Sequence, residues 1–213
     1  MEQTAPPQTP KQKWENYWYY YKFHTIVSVF IIAVLTIGIV QMVTQVKPDY
    51  RIILCTSDYG AHDTEKMREV LPVYGFDLNG DGTAVVSVED CSFNQETMDA
   101  NAIMANQTKV LAEIQMDGIF IYICDKEQFG WLNREGLFEP LGQDKQDTSP
   151  ENTGWCWKDS EFKAEHFPDA PDELYFCLRG LEGTTLEGNQ KAMERYERDR
   201  ALLENIMNNT VAG

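Results

Sequence analysis

The most prominent feature of the hydrophobic pattern is an uncharged apolar stretch near the start of the chain. Residues 25–46 run for 22 positions without a formal charge and are rich in Ile, Val, Leu and Phe. At about 1.5 Å per residue, a helix of this length reaches roughly the 30 Å of a bilayer hydrocarbon core. The pattern therefore predicts a transmembrane helix over residues 25–46, with the lipid bilayer as its partner.

An aromatic cluster lies directly before this stretch. Its members are Trp14, Tyr17, Trp18, Tyr19, Tyr20, Tyr21 and Phe23. Amphipathic rings concentrate at the headgroup level of a bilayer, so residues 1–24 are predicted to form a cytoplasmic tail and an interfacial aromatic belt. A buried core helix is the alternative, but it would not need aromatic rings at one end. No small-residue cleavage site follows the stretch, which favours a retained signal anchor over a secretory signal peptide.

The bases near the span bias its orientation. Three lysines precede it, while Lys47 and Arg51 follow it closely. Because Lys and Arg concentrate on the cytoplasmic side of membranes, the bases before the span favour a cytoplasmic position for residues 1–24. We therefore predict a single-pass protein of the cell membrane in this orientation. Its C-terminal domain, residues 47–213, is predicted to be extracytoplasmic.

The five cysteines follow neither a C-x-x-C nor a zinc-like spacing. Cys55, Cys91 and Cys124 fall in or beside apolar runs and are predicted to be buried, inert thiols. A bridge between Cys156 and Cys177 is left open. This cysteine usage is typical of a cytoplasmic domain or of a weakly oxidising exterior.

Beyond the span, short apolar runs alternate with amphipathic ones. Continuous apolar runs of about five residues, bounded by turn residues, suit strands that are buried on both faces. Four such runs predict strands, at residues 51–55, 84–88, 119–124 and 174–178.

Helical spacing of apolar residues predicts the elements between and after these strands. The predicted helices open at Asp63 or Thr64, at Asn94, near residue 128, and at a Thr184-x-x-Glu187 capping box. Val110 and Leu111 fall on the inner face of the second helix, and Met193 on that of the last. Strand, helix, strand, helix, strand is the order of a sheet with crossover connections, so residues 47–213 are predicted to form a small layered α/β domain.

The charge of the protein is concentrated in this domain. The chain has 18 Lys and Arg against 34 Asp and Glu, and residues 47–213 hold 15 of those bases and 32 of those acids, a net charge of −17. An acidic surface excludes nucleic acid as the main partner, because phosphate binding needs bases. The sequence has no G-x-S-x-G, H-E-x-x-H or Walker-type phosphate loop, and we predict that the chain is not an enzyme.

The sharpest motif is the heptapeptide that starts with Asp77. Asp77, Asn79 and Asp81 alternate with other residues before a glycine, and the backbone carbonyl of Thr83 follows at the seventh position. This spacing wraps short oxygen ligands around a hard cation and predicts a calcium site. Val88 stands at the twelfth position, where a bidentate Glu is usual, so weak affinity is expected. The alternative is a metal-free turn, which Asn-Gly and Asp-Gly pairs favour by themselves.

Two segments resemble bacterial extracellular solute-binding proteins. They are the helix–strand passage KVLAEIQMDGIFIYICD of residues 109–125 and the GLFEPL segment of residues 136–141. The order of anchor, α/β domain and Asp-x-Asn-Gly-Asp-Gly is also similar to uncharacterised membrane-anchored proteins of Gram-positive bacteria. The resemblance implies a fold like one lobe of a solute-binding protein. The 167 residues after the span are too few for two lobes and a hinge, so it does not imply a clamshell mechanism.

A candidate ligand site follows from the predicted architecture, because ligands of open α/β sheets bind beyond the carboxyl ends of the strands. The residues that follow the first and third predicted strands are Thr56, Ser57, Asp58, Tyr59 and Asp125. Three tryptophans offer aromatic walls for a sugar or peptide, namely Trp131, Trp155 and Trp157. Alternatively, Asp58 and Asp125 cap the next helices and the tryptophans fill the core.

Together these patterns predict a membrane-anchored extracytoplasmic binding module of the solute-binding type, stabilised by calcium, for a small molecule that the sequence does not identify. The alternative is an accessory subunit of a membrane transporter or envelope complex, with a membrane protein as its partner and no small ligand of its own.

Overall fold

The structure is a computed structural model that describes residues 9–44, 47–57, 61–115, 118–142, 147 and 149–212. The chain divides into two compact units, Met1–Val46 and Lys47–Gly213.

The described part of the first unit forms a single long helix, α1, over Pro10–Thr44. In the described part of the chain, only its stretch Pro10–Gln41 is long and apolar enough to cross a membrane. The most apolar 18 residues of this stretch are not buried inside the protein. A helix capable of spanning a bilayer is therefore confirmed, and the alternative of a buried core helix is wrong. The helix begins earlier than the predicted span, so the aromatic cluster continues the same helix.

The second unit is built on a mixed five-stranded sheet. Its strands are β1 (Tyr50–Cys55), β2 (Val86–Asp90), β3 (Ile121–Asp125), β4 (Gly154–Cys156) and β5 (Leu174–Leu178). They lie in the order β2-β1-β3-β5-β4, with β1 parallel to both β2 and β3, and with β5 antiparallel to β3 and β4. The four predicted strands are confirmed with small shifts at their ends. The short strand β4 lies in a polar stretch that gave no strand pattern.

Helices cover both faces of the sheet. They are α2 (Ala61–Val70), α3 (Ala100–Gln115), α4 (Lys126–Leu132), α5 (Pro150–Thr153), α6 (Glu161–His166) and α7 (Gln190–Met207). One apolar core joins the sheet to α2, α6 and α7 through residues such as Met67, Phe162 and Leu203. The opposite core joins it to α3 and α4 through Val110 and Phe129. The predicted small α/β domain is therefore confirmed as a three-layer arrangement.

The beginnings of two helices differ from the sequence prediction. Helix α3 is capped by Asp99, whose Oδ1 accepts the N–H groups of Asn101 and Ala102, while Asn94 holds only the preceding turn. Helix α7 begins after Asn189, whose side chain accepts from the next turn, so the predicted capping box is wrong. Gly188 with φ +77° separates Glu187 from that helix.

The inner faces of α3 and α7 also need correction. Val110 is fully buried, but Leu111 is 51% exposed and lies at the side of α3 rather than on its inner face. Met193 is likewise exposed, and the inner face of α7 is formed by Ala192, Asp199, Leu202, Leu203 and Ile206. Helical spacing alone located the apolar stripes to within about one residue of their true centre.

All five cysteines are free thiols. Cys55, Cys91 and Cys124 are buried as predicted, and burial raises the pKa of each thiol, which leaves them protonated and inert. The bridge between Cys156 and Cys177 is not formed, because Cys156 lies opposite Tyr175 in the β4–β5 register and Cys177 lies opposite Gly154.

Asp199 is an unusual acid for the inner face of a helix. It is 5% exposed and accepts the backbone N–H of Phe120, and burial raises the pKa of its carboxyl to about 7. The pKa of an Asp in an unfolded chain is about 3.9, so the raised pKa of Asp199 favours the protonated acid in the folded state. The stability that depends on this proton is complete below about pH 4 and is lost as the pH rises towards about 7.

We expect Asp199→Asn to raise the free energy of unfolding at about pH 8 by about 2–4 kcal/mol, because the buried charge is removed. At about pH 4 the variant and the parent protein should unfold together. Thermal unfolding followed by circular dichroism across this pH range measures the difference. Glu197→Gln removes an exposed charge from the same helix and should leave the dependence of unfolding on pH unchanged. If Asp199→Asn also kept the pH dependence of the parent protein, the raised pKa of Asp199 would be contradicted.

Candidate functional site

The carboxyl edge of the parallel strands brings together three of the predicted ligand residues. Asp125 ends β3 and caps α4 by accepting the N–H of Gln128 at 2.8 Å, and its other oxygen accepts the N–H of Ser57 at 2.6 Å. Thr56 follows β1, and its N–H and hydroxyl both contact the hydroxyl of Ser92, at 3.1 and 3.0 Å. These contacts tie the ends of three neighbouring strands into one polar network.

The groups in this network already have partners. The Gln128 amide is buried and donates to the Ser57 hydroxyl and to the Phe93 carbonyl, and the Ser57 hydroxyl donates to Glu127. The alternative that Asp125 caps the next helix is confirmed. Asp58 and Tyr59 lie outside the described residues. The described part of this edge holds the strand ends in place and leaves few free groups for a ligand.

The loop of residues 77–83 is organised by its own side chains. The two carboxylate oxygens of Asp77 accept the N–H groups of Gly80 and Gly82, at 2.7 and 2.8 Å. Asn79 accepts from Asp81, and Asp81 accepts from Thr83. These backbone donors, that of Gly82 first, hold the pKa of Asp77 below its ordinary value.

Asp49, which lies just before β1, fixes this loop from outside. Its Oδ1 accepts the N–H groups of Leu78 and Asn79, and its Oδ2 accepts that of Val85. The loop therefore keeps its turns without a metal. Within the described ranges, no three His, Cys, Asp or Glu side chains are grouped so that they could hold a metal ion. Calcium at Asp77, Asn79, Asp81 and Thr83 stays a prediction.

A cavity of about 430 Å³ lies on the face of the sheet that α3 and α4 cover. Its apolar walls are Leu111 and Ile114 of α3, Trp131 and Leu132 of α4, and Leu137. Its polar lining comprises Arg134, Arg179, Glu182 and Thr184. Few convergent polar groups in a mostly apolar concavity are typical of small-molecule sites, which span about 300–1,000 Å³.

The chain forms one wall of this cavity through a short turn after α4. A 3₁₀ turn over Asn133–Glu135 ends at Gly136, whose φ of 71° reverses the chain. Asn133 accepts the N–H of Phe138, which brings Phe138 into a bridge with Arg179. Leu137 is thereby placed beside the end of β5 and against the cavity.

Arg179 is the most unusual residue of the cavity. It is 6% exposed, and its Nε and Nη1 atoms have no hydrogen-bond partner among the residues that the structure describes. Its backbone is fixed, because its N–H donates to the carbonyl of Phe120 at 2.8 Å. Leu178 at the end of β5 lies opposite Ile121 at the start of β3, so Arg179 lies at the amino edge of the parallel strands. This is the edge opposite to the predicted site.

Tyr122 is a second buried group without a partner near Arg179. Its ring packs against Phe138 with centroids 5.4 Å apart, and its hydroxyl makes no hydrogen bond to the described part of the protein. Burial raises the pKa of this phenol, while the charge of Arg179 lowers it in part. The phenol is therefore neutral and retains its proton as a donor.

The three tryptophans have different positions. Trp157 is fully buried in the core and donates its indole N–H to the carbonyl of Pro171 at 2.9 Å. For this residue, the alternative that the tryptophans fill the core is confirmed. Trp155 packs against Phe176 with ring centroids 5.4 Å apart. Trp131 is half-buried, packs edge-on against Phe93, and lines the cavity. Of the three, Trp131 is the aromatic wall.

Sequence reasoning missed Arg179, Tyr122 and the cavity. The only available signal was a base directly after the apolar run of residues 174–178. Such a base is ordinary at the solvent end of a strand, and nothing local indicates that it is buried.

Comparison of the chain with protein-family models, with curated proteins and with solved structures finds no match. The resemblance to solute-binding proteins therefore stays an expectation drawn from two short segments.

The loop allows a sharp test of the calcium prediction. Asp81→Asn keeps the oxygen that accepts the Thr83 N–H but removes the charge that would hold a cation. We expect calcium to raise the melting temperature of the parent protein relative to a chelator, and we expect this rise to disappear in Asp81→Asn. In chelator the two proteins should melt together. Equal melting of the parent protein with calcium and with chelator would reject the site.

Proposed function

We propose that this protein is a membrane-anchored binding module, whose α/β domain lies outside the cytoplasm and binds a small molecule in the cavity between α3, α4 and the end of β5. The observation that carries this proposal is the cavity itself, with apolar walls and a buried arginine. Helix α1 supports the anchor, because it is apolar, uncovered and long enough to cross a bilayer.

Two further observations support binding over catalysis. The polar residues that line the cavity are two arginines, one glutamate and one threonine. Among the described residues, its lining includes neither a histidine nor a cysteine that would serve as a base or nucleophile. The free thiols Cys55, Cys91 and Cys124 are buried elsewhere, and burial raises the pKa of each. Recognition is therefore the function that this lining supports best.

A cavity-blocking variant tests the proposed location. Leu111 lines the cavity and is 51% exposed, so Leu111→Trp should obstruct the cavity without disturbing the core. The full chain in lipid nanodiscs is screened by thermal shift against sugars, amino acids, short peptides and organic acids. We expect at least one class to raise the melting temperature of the parent protein, and we expect Leu111→Trp to abolish that rise.

Met104→Trp is the matched control for this screen. Met104 lies two turns earlier on the same helix, is 60% exposed, and does not line the cavity. It should bind as the parent protein does. A ligand whose stabilising effect persists in Leu111→Trp would place the site elsewhere, and a screen without any stabilising compound would contradict a binding function.

The proposed orientation rests on the three lysines that precede residues 25–46 and on the acidity of the second unit, which anionic cytoplasmic lipids would repel. Epitope tags placed before Met1 and after Gly213 test it. Protease added to intact cells should remove the C-terminal tag and leave the N-terminal tag until the membrane is opened. The reverse pattern would place the α/β domain in the cytoplasm.

A further inference from the structure

Resting on the proposed function, we propose that the cavity binds a small amphipathic monocarboxylate, with its carboxylate against the Arg179 guanidinium and its apolar body against Trp131, Ile114 and Leu137. This assigns a ligand class to the site and a recognition role to Arg179.

Arg179 has hydrogen-bonding capacity that the described residues do not meet. A guanidinium is always charged in proteins and has five donors and no acceptor. Burial of a charged donor without a partner is costly, and such groups in proteins normally find a carboxylate, a carbonyl or water. Nε and Nη1 of Arg179 have no such partner within the described structure. Both atoms are enclosed in the ligand-free protein. Once a small shift of the cavity wall uncovers them, a bound carboxylate supplies acceptors of the geometry that a guanidinium prefers.

Around the cavity, the charges of the described residues leave one buried positive charge, that of Arg179. Arg134 and Glu182 also line it, but both are exposed and carry opposite charges. Among the described lining residues, Arg179 is therefore the only buried charge, and a ligand of one negative charge neutralises it. A phosphate dianion would bring a second charge into a cavity that has no second buried base. A single carboxylate fits this balance.

The walls of the cavity are mostly apolar. Leu111, Ile114, Leu132 and Leu137 are aliphatic, and Trp131 adds the edge and face of an indole. Burial of an apolar ligand body against such walls contributes a binding free energy of about 25 cal/mol per Å² of apolar surface. A free inorganic anion or a bare carboxylate such as acetate would leave them uncovered. The ligand therefore joins an aromatic or branched aliphatic body to its carboxylate.

The fold holds the backbone of Arg179 in position. The N–H of Arg179 donates to the carbonyl of Phe120, just before β3, and the N–H of Gly180 donates to the carbonyl of Leu137. The backbone of Arg179 and Gly180 is therefore tied to the sheet and to the cavity wall. The neutral Tyr122 hydroxyl is a second buried donor within the electrostatic range of Arg179. A preorganised donor loses little entropy when a ligand binds.

The test compares two probes of the same shape. The first is 4-phenylbutyrate, and the second is its neutral amide, 4-phenylbutyramide. Both are water-soluble and are titrated into the full chain in nanodiscs by isothermal calorimetry. We expect the acid to bind about 10- to 100-fold more tightly than the amide, because a hydrogen bond to a charged group is lost with the carboxylate.

Arg179→Gln should remove this preference, so that acid and amide bind with similar weak affinities. Arg200→Gln is the matched control, because Arg200 is exposed on α7, pairs with Glu204, and is not part of the cavity lining. It removes the same formal charge and should keep the preference of the parent protein. A preference that survives in Arg179→Gln would overturn the role of Arg179.

Arg179→Met separates recognition from folding. Nε and Nη1 of Arg179 have no hydrogen-bond partner among the described residues, so an apolar side chain in their place should leave the ligand-free protein at least as stable as the parent. The same change should abolish stabilisation by 4-phenylbutyrate. If Arg179→Met and Arg179→Gln both unfold the domain, the guanidinium is a structural group and the proposal is wrong.

The remaining outcomes distinguish this proposal from the proposed function. Equal binding of acid and amide would overturn the monocarboxylate class and leave a cavity that binds neutral molecules. Failure of both probes would overturn the class, while the wider screen with Leu111→Trp decides separately whether the cavity binds any ligand.

Discussion

The interior polar groups of the α/β domain must find their partners inside the protein, because helices cover both faces of the sheet. β1, β3 and β5 lie at the centre and are almost completely buried along their length. A polar group that reaches this interior without a partner costs about 1–3 kcal/mol, and a charged one costs more. This constraint explains the polar network at one edge of the sheet and makes the exceptions at the other edge informative.

The two edges of the parallel strands meet the constraint in different ways. At the carboxyl edge, Thr56, Ser57 and Asp125 are bonded to one another or to residues of the neighbouring strands. At the amino edge, Nε and Nη1 of Arg179 and the hydroxyl of Tyr122 are buried without hydrogen-bond partners in the described structure, next to a cavity. A protein that keeps an unpaired buried guanidinium carries a stability cost, and ligand binding is a function that requires such a cost. The edge that is less well satisfied is therefore the better candidate site.

The sequence was informative where local chemistry decides the outcome. Runs such as residues 51–55 and 174–178 are apolar throughout and form the strands they predict, since a strand covered on both faces has no polar side. Asp125 caps a helix as one sequence alternative expected. The polar loop at Asp77 forms the turns that its glycines favour, with positive φ at Gly80 and Gly82.

Non-local packing decides what the sequence could not show. The start of α7 depends on the turn at Gly188 rather than on the upstream Thr-x-x-Glu pattern, and β4 forms only because it pairs with β5. Leu111 and Val110 are adjacent and equally apolar, yet one lines a cavity and the other fills the core. Arg179 forms a bridge with Phe138, which lies 41 positions earlier in the chain. Contacts of this separation leave no local pattern.

The most direct test of the central claim observes the Arg179 guanidinium itself. In the full chain labelled with ¹⁵N-arginine, the Nε–H signal of Arg179 is identified by its absence from the spectrum of Arg179→Gln. We expect this signal to move when 4-phenylbutyrate is added, to stay in place with 4-phenylbutyramide, and to move more than any other arginine signal. A signal that does not respond to the acid would show that the unpaired guanidinium has no role in recognition.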